Sequence, residues 1–252
     1  MNSELLQELQ PLIVGGVFVL LYLAEHLYPQ RRELIDYKHD GWNVLLGILN
    51  ITVIFGVSYY FGKVLQWSNG AQFGLLYWLG LPAWISGVLA FLFLDGLLYG
   101  WHRLNHRFGF LWRFHKFHHL DTKMNTTSSM RFHTVELLLS YGWRFTLIPL
   151  LGISVGAFVL YNLVFTAVVI FHHSGIRIGL RTDKVIRLFV VTPHLHRIHH
   201  SIVFEETNSN FSSVLRLWDQ LFGTYKSAPK GDIVFGVPVH PKHSQKASPN
   251  TK

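Results

Sequence analysis

Histidine residues recur with the same spacing at two distant places in this sequence. The stretch HRLNHRFGFLWRFHKFHH (102–119) contains five of them. The later stretch HRIHH (196–200) repeats the H-x-x-H-H pattern of HKFHH (115–119). Because residues at i, i+3 and i+4 share one face of a helix, each triplet can direct its imidazoles toward one point. His102 and His106, four residues apart, form a third group of this kind, and the three groups together predict a metal site.

The number of imidazoles predicts two metal ions rather than one. Zinc usually takes four ligands, and an open non-haem iron site takes three from the protein. The three groups supply eight histidines: His102, His106, His115, His118, His119, His196, His199 and His200. The chain has no cysteine, which excludes thiolate ligands and cysteine-bound iron–sulfur clusters. Imidazole suits iron and zinc alike, so the ligand type leaves the metal open.

Other histidines divide into neighbours of this site and bystanders. His172 and His173, in FHHSG, supply at least one more expected ligand, and the residues alone leave open which of the two it is. His133, in RFHTVE, is interpreted as a neighbour of the ligands rather than a ligand. The histidines outside any cluster are predicted not to bind metal: His26, His39, His240 and His243.

An acidic residue lies on the helix face that carries the first histidine pair. Asp95, Tyr99, His102 and His106 follow one another at steps of four, three and four residues. A lone charge near the end of a membrane segment is costly. We therefore expect Asp95 to accept an imidazole N–H and so orient a ligand, and Tyr99 is a second candidate for contact with the ligands.

The composition indicates an integral membrane protein. Half of the 252 residues are hydrophobic and 14% are charged, against about 25% charged in typical soluble domains. The eight tryptophans suit membrane interfaces. The net charge of +8 does not indicate nucleic-acid binding, because the basic residues are scattered among apolar segments and form no basic helix.

Apolar segments place the fold in the all-α class, as a membrane bundle of three spans plus a helical hairpin. A spanning helix needs roughly 20 mostly apolar residues. Three segments have this character: 11–28, 42–65 and 75–101. A fourth region, 135–171, is longer and carries Pro149 and Gly152 near its middle, which disfavour one continuous helix. We predict two shorter helices folded as a hairpin, which puts the histidines before and after it on one side of the membrane.

The charge distribution predicts which side that is. Basic residues concentrate after the first span, after the third span and from Arg177 onward, whereas residues 1–10 and 66–74 contain none. By the positive-inside rule, the N-terminus lies outside and the histidine groups face the cytoplasm. Lys63 lies near a span end and can snorkel, but Arg144 lies within a span and needs a partner or a shallow position.

The second half of the chain is more polar and completes the predicted domain. Residues 172–225 are expected to form short helices and loops, as a histidine-rich cytoplasmic cap on the bundle. Residues 1–225 then form a single membrane-embedded domain, with the histidine motifs within 90–225. The remaining 226–252 are rich in Lys, Pro and Ser and indicate a polar tail.

Two familiar metal chemistries lack their motifs here. A zincin-type hydrolase carries H-E-x-x-H, which does not occur, and no carboxylate lies within a histidine triplet to act as a base. Soluble di-iron bundles use Glu-x-x-His, which is also missing. An all-imidazole site for two metals at a membrane surface favours redox chemistry on lipids.

In these features the sequence resembles the fatty acid hydroxylase superfamily, also called the sterol desaturase family, over roughly 90–225. DGLLYGWHRLNH (95–106) is similar to the family pattern D-x-x-x-Y-x-x-H-R-x-x-H, and the other elements follow in order: HKFHH, RFHTVE, FHHSG, TPHLHRIHHS and NFSSVLRLWDQLFGTY. Gly175 stands where the family often has Asn, and Ser212 where it often has Gly. Neither difference removes a ligand.

The resemblance implies an integral membrane oxidoreductase with two metals, normally iron, on the cytoplasmic side. It makes the eight grouped histidines ligands, with His173 or His172 as the ninth. Asn210 and Asp219, in the last motif, become candidates for contact with the ligands. The substrate is then a fatty acyl chain, a sterol, an alkylglycerol or a related lipid. It is oxidised with O2 and electrons from an external donor of the cytochrome b5 or ferredoxin type, since the chain has no flavin, haem or iron–sulfur motif.

Three functions stay open at this point. Hydroxylation of a lipid C–H bond leads, and desaturation is the alternative within the same family. A membrane metal-binding or transport protein is the alternative from another class, although the spans hold few polar residues that could line a pathway. Zinc in place of iron is also open.

Overall fold

The computed structural model describes residues 3–32 and 35–238, and this part of the chain is helical without a β-strand. The long helices are α1 (Ser3–Leu27), α2 (Tyr37–Gly70), α4 (Ala83–Arg107), α5 (Gly109–His119), α6 (Thr134–Leu151) and α7 (Val155–His173). The short helices are α3 (Leu75–Trp78), α8 (Leu180–Ile186), α9 (Pro193–His199), α10 (Phe204–Thr207) and α11 (Leu217–Leu221), with a 3₁₀ helix at Thr126–Met130. The all-α prediction is confirmed for the described residues.

Four stretches are long and apolar enough to cross a membrane: Leu5–Leu27, Tyr37–Trp78, Ala83–Arg107 and Val155–His173. They agree with the prediction of a multi-pass membrane protein, but the predicted start of the third span, at residue 75, was wrong. The predicted span 75–101 is interrupted, because Gly80 has a φ of +60° and Pro82 precedes the first residue of α4. Proline has no N–H to continue a helix but fits just before one begins.

The predicted hairpin is formed by α6 and α7. Helix α6 ends at Gly152, whose φ of +69° suits glycine, and the Ser154 side chain accepts from Ala157 N at the start of α7. Pro149 stays inside the last turn of α6. At the open end, Glu136 contacts His115 and His173 contacts His118. The hairpin therefore returns the chain to the histidine end, as the sequence predicted.

The hairpin turn touches the loop before α3. A Cβ on Gly74, which has a φ of +112°, would lie 2.3 Å from Gly152 N. The two backbones can approach this closely because both residues are glycine and neither has a side chain. The contact lies at the end of the bundle opposite the histidines, and it fixes α6 against the long α2 helix.

The apolar core lies deep in the bundle, away from the histidines. It includes Phe61 from α2, Leu94 from α4, Ile148 from α6 and Tyr161 from α7. Arg144, for which the sequence required a partner or a shallow position, lies over the rings of Tyr141 at 5.4 Å and Phe165 at 5.8 Å. Aromatic faces attract a guanidinium, so the partners of Arg144 are π systems.

Residues 174–238 form short helices and loops, which are called the cap below. Ile202 N donates to Val234 O at 2.9 Å, and Lys226 N donates to Asn210 Oδ1 at 2.8 Å. These bonds join the described part of the predicted tail, 226–238, to the rest of the cap. The rest of that tail, with His240 and His243, lies outside the described residues.

Candidate dimetal site

Two adjacent histidine groups lie at the junction of the bundle and the cap. In the first group, five histidines each offer one nitrogen, and these nitrogens lie within 4.8 Å of one another: His102, His106, His115, His119 and His199. Helices α4, α5 and α9 supply them. In the second group, four histidines meet the same distance limit: His118, His173, His196 and His200. Each group can hold one metal ion.

The two H-x-x-H-H triplets contribute to both groups in opposite ways. From the triplet on α5, His115 and His119 enter the first group and His118 enters the second. From the triplet at α9, His196 and His200 enter the second group and His199 enters the first. The i, i+4 pair of each triplet therefore faces one ion position, and the i+3 member faces the other. This exchange places the two positions side by side, with the His119 and His200 rings stacked at 4.5 Å.

In the first group, hydrogen bonds fix the tautomer of three ligands. Nδ1 of His102 donates to Phe211 O at 2.8 Å, and Nδ1 of His199 donates to Ser209 O at 2.8 Å. His115 Nδ1 donates to Glu136 Oε1 at 2.7 Å. A neutral imidazole with its proton on Nδ1 has a lone pair on Nε2. In all three rings Nε2 is buried without a protein partner, as a metal ligand requires.

In the second group, lone pairs face one another directly. His118 Nδ1 donates to Arg131 O at 3.1 Å, and His173 Nδ1 donates to Val169 O at 2.8 Å. Their Nε2 atoms, which carry no proton in this tautomer, lie 3.1 Å apart. His196 Nε2 is 3.1 Å from that of His173 and 3.2 Å from that of His200. Nitrogens bound about 2.1 Å from one ion lie roughly 3.0–3.4 Å apart, which matches the separations observed here. The facing lone pairs repel one another, and a cation placed between them would be bound by these same lone pairs.

Electrostatics keeps these histidines neutral. Burial, reinforced by the charges of neighbouring imidazoles, lowers the pKa of His119 and His200 well below the usual range. Burial lowers the pKa of His199 to about 3. Metal ligands must be unprotonated, so the pocket is preset for binding at neutral pH.

The structure shows where the remaining histidines lie. His173 belongs to the second group, whereas its neighbour His172 belongs to neither and lies beside His196, with ring centroids 3.9 Å apart and ring planes tilted by 35°. His133 accepts from Val135 N through Nδ1 and caps α6, a different task from the predicted contact with a ligand. His39 interacts with Asp121 Oδ1 at 2.8 Å, outside both groups. His26 also lies outside them.

Asp95 does not bind an imidazole, so that part of the prediction is wrong. Its donors in the described part of the chain are Tyr161 OH at 3.0 Å, Leu215 N at 3.0 Å and Trp218 Nε1 at 2.9 Å. Asp95 and His102 share one face of α4, and near Asp95 this face packs against the 210–225 loop. Asp95 therefore satisfies its buried charge by holding this loop against α4 and α7.

The other predicted neighbours also act through the 210–225 loop. Asp219 accepts from Phe211 N at 2.8 Å and Ser212 N at 3.0 Å. Thr224 Oγ1 donates to Asp219 at 2.7 Å and lies 3.0 Å from Tyr99 OH. Asn210 Nδ2 donates to Leu195 O at 3.0 Å, which ties the loop to α9. The loop in turn presents the Phe211 carbonyl to His102.

Glu136 is the site residue that sequence reasoning missed. It is buried, and besides His115 its Oε1 accepts from Asn105 Nδ2 at 3.3 Å. A signal was present, because Glu136 is an acid in the first turn of an apolar helix, three residues after His133 in RFHTVE. The spacing of the histidine triplets did not identify Glu136, because it lies outside them.

Replacing Glu136 with Gln is expected to weaken metal binding about 10–100-fold, the usual effect of removing a carboxylate behind a metal-bound histidine. The amide keeps the size of the side chain but loses the charge that fixes the Nδ1 proton of His115. Competition with a metal-chelating dye measures the affinity. Glu8→Gln, an exposed position on α1, is the control. Unchanged affinity in Glu136→Gln would contradict the assigned role.

Comparison with known proteins agrees with this geometry. The family model for fatty acid hydroxylases matches residues 87–224, and the chain belongs to that family. Ornithine lipid hydroxylase OlsE of Rhizobium tropici is 34% identical over 149 residues, 59% of this chain and 44% of the relative. Human alkylglycerol monooxygenase is 29% identical over 176 residues, 69% of this chain and 37% of the relative. Rat cholesterol 25-hydroxylase is 25% identical over 145 residues, 56% of this chain and 47% of the relative.

These matches confirm the predicted family, and the named relatives are hydroxylases and monooxygenases, which are oxidoreductases. The chain spans less than half the length of each of these three relatives. No solved structure matches it significantly.

Proposed function

We propose that this chain is a membrane-bound dimetal oxygenase that hydroxylates a C–H bond of a lipid, using O2 and electrons from an external donor. The observation that carries the proposal is the convergence of nine imidazoles, seven buried and two partly exposed, into two adjacent groups. The relatives support the reaction, since each is named for adding oxygen to a lipid molecule: an ornithine lipid, an alkylglycerol or cholesterol.

Two iron ions fit these residues, and the proposed reaction favours iron because zinc has no redox chemistry. The donors are imidazoles only, which suits iron, and a site of this composition also accepts zinc when the protein is isolated. Bound iron would supply the activation of O2 and the one-electron steps that the protein's own side chains cannot perform. The donor of those electrons is a separate protein of the cytochrome b5 or ferredoxin type.

The chain's own residues prepare the site in three ways. Glu136 and the carbonyls of Ser209 and Phe211 hold the Nδ1 protons of three ligands, so that the Nε2 lone pairs point inward. The cap covers the ligands, which excludes water from the reacting bond. Helices α4 and α7 carry His102 and His173 near their ends, so a lipid that enters from the bilayer meets the metals at the level of its polar region.

The site faces the cytoplasm in this proposal, and the N-terminus lies outside. Basic residues before α2 and after α4 support this orientation by the positive-inside rule. The same orientation makes the cap accessible to a cytoplasmic electron donor.

Turnover with isotope-labelled O2 tests the proposed reaction. The protein, loaded with ferrous iron in lipid nanodiscs and supplied with a chemical reductant, should convert one lipid class into a product that carries the heavy oxygen isotope, detected by mass spectrometry. A product that has only lost two hydrogens would assign desaturation instead. Metal flux across proteoliposomes without lipid oxidation would assign transport and overturn the proposal.

A further inference from the structure

A small pocket with both polar and apolar lining lies at the histidine end of α1, outside both metal groups. Its charged or ionisable lining residues are Glu25, His26, Arg31 and Arg197, and other lining residues include Gln30, Asn125, Met124 and Phe235. The pocket borders the segment that follows α7 and the helix that carries His196. It therefore lies at the depth of the metal site and within reach of lipid headgroups.

Glu25 presents one unused carboxylate oxygen here. The residue is 4% exposed. Oε2 accepts from Thr126 N at 2.9 Å and Gly175 N at 2.6 Å. Oε1 is buried and has no hydrogen-bond partner among the described residues. Leaving a buried carboxylate oxygen unpaired is costly, so a ligand that donates to it gains that free energy.

His26 adds a second acceptor beside the first. Its Nδ1 lies 2.7 Å from Tyr22 O, and because a carbonyl only accepts, Nδ1 carries the proton. In the neutral ring Nε2 is then a lone pair, and it too is buried without a partner in the described part of the chain. Two acceptors that line one pocket suit a ligand with several N–H donors, and a primary ammonium has three.

Two arginines that line the same pocket favour an anionic group instead. Arg31 Nη1 donates to Ile233 O at 2.9 Å, and Arg197 Nη2 donates to Ser174 O at 2.8 Å. These partners are neutral carbonyls, and within residues 3–32 and 35–238 no ion pair involves either guanidinium. A guanidinium fork matches a phosphate or carboxylate group. A bare cation would be repelled by this pair, whereas a zwitterion suits both sides.

We propose that this pocket binds a zwitterionic group, with a primary ammonium on Glu25 and His26 and an anionic phosphate or carboxylate on Arg31 and Arg197. Gly175, whose N–H donates to Glu25, is two residues from His173, and Arg197 follows His196 directly. A lipid held by this headgroup would lie beside the second metal group. That the bound lipid is also the substrate rests on the proposed hydroxylase function, whereas the binding itself does not.

Calorimetric titration of the full-length protein in detergent tests the pocket without any turnover. The probes are lysophosphatidylethanolamine, lysophosphatidylcholine, whose trimethylated nitrogen cannot donate, and lysophosphatidylglycerol, which has no ammonium. We expect the ethanolamine lipid to bind about tenfold or more tightly than the other two, the effect of one hydrogen bond between charged groups. Free phosphoethanolamine distinguishes the source: weaker binding indicates a lipid headgroup, and equal binding indicates a soluble zwitterion at the same site.

Variants tie that preference to the pocket. Glu25→Gln should remove most of the preference for ethanolamine over choline. His26→Phe should reduce it while leaving the Thr126 and Gly175 bonds to Glu25 in place, so its effect does not depend on folding around Glu25. Glu8→Gln on the same helix is the matched control. Equal affinity for the three lysolipids in the wild-type protein, or an unchanged preference in both pocket variants, would overturn the proposal and leave the oxygenase proposal standing.

Discussion

Replacing His118 with Ala is expected to abolish lipid hydroxylation and to remove one of the two metal ions. His118 is the only member of the α5 triplet in the second group, and its loss leaves three imidazoles there. Groups that act as a unit lose nearly all activity when one member is removed, so we expect a fall on the order of 100-fold or more. Metal analysis of the purified variant, with turnover of the same sample, measures both effects.

The control for this variant is His194→Ala. His194 lies on α9 but outside both metal groups, and its Nε2 donates to Ser227 O at 3.1 Å. The His194→Ala protein should keep both ions and its activity. Both variants should insert into the membrane normally, because neither position lies in a spanning helix. Full activity in His118→Ala would contradict the shared dimetal site.

Replacing Asp219 with Asn is expected to weaken metal binding, although the Asp219 side chain belongs to neither histidine group. The carboxylate accepts two backbone N–H groups and the Thr224 hydroxyl, all in a buried place. An amide would set an NH2 group against one of these donors. Each unsatisfied buried donor costs about 1–3 kcal/mol, so the 210–225 loop should loosen and the Phe211 carbonyl should lose its position against His102.

The result should appear as a metal affinity about 10–100-fold lower, the range for residues that orient a ligand, together with a lower unfolding temperature. Thermal unfolding with and without metal separates the two effects. Asp232→Asn, at an exposed acid in the same half of the chain, should change neither quantity. An Asp219→Asn protein that is less stable but binds metal as tightly as the wild type would limit Asp219 to a structural role.

Local spacing explains why the histidine groups were predictable. The i, i+3, i+4 pattern fixes which imidazoles share a helix face, and a proline and a glycine near the middle of 135–171 were enough to predict the hairpin. The family, too, follows from motifs that are continuous in sequence. These inferences need no knowledge of how helices pack.

The remaining features depend on how distant segments pack together, and local sequence patterns do not predict this packing. The exchange of triplet members between the two groups follows from the angle at which α5 meets α9. Asp95 shares a helix face with His102, yet its hydrogen-bond donors among the described residues include residues of the 210–225 loop and no histidine. The choice of His173 over His172 depends on the rotation of α7, and Glu136 meets His115 only because α6 begins beside α5.

X-ray absorption at the metal edge of the purified wild-type protein, combined with its metal content, tests the central claim most directly. The account predicts two ions per chain, each surrounded mainly by nitrogen at about 2.0–2.2 Å, as expected for imidazole ligands. One ion per chain, or a first shell dominated by oxygen, would contradict a site in which both H-x-x-H-H triplets bind the same pair of metals.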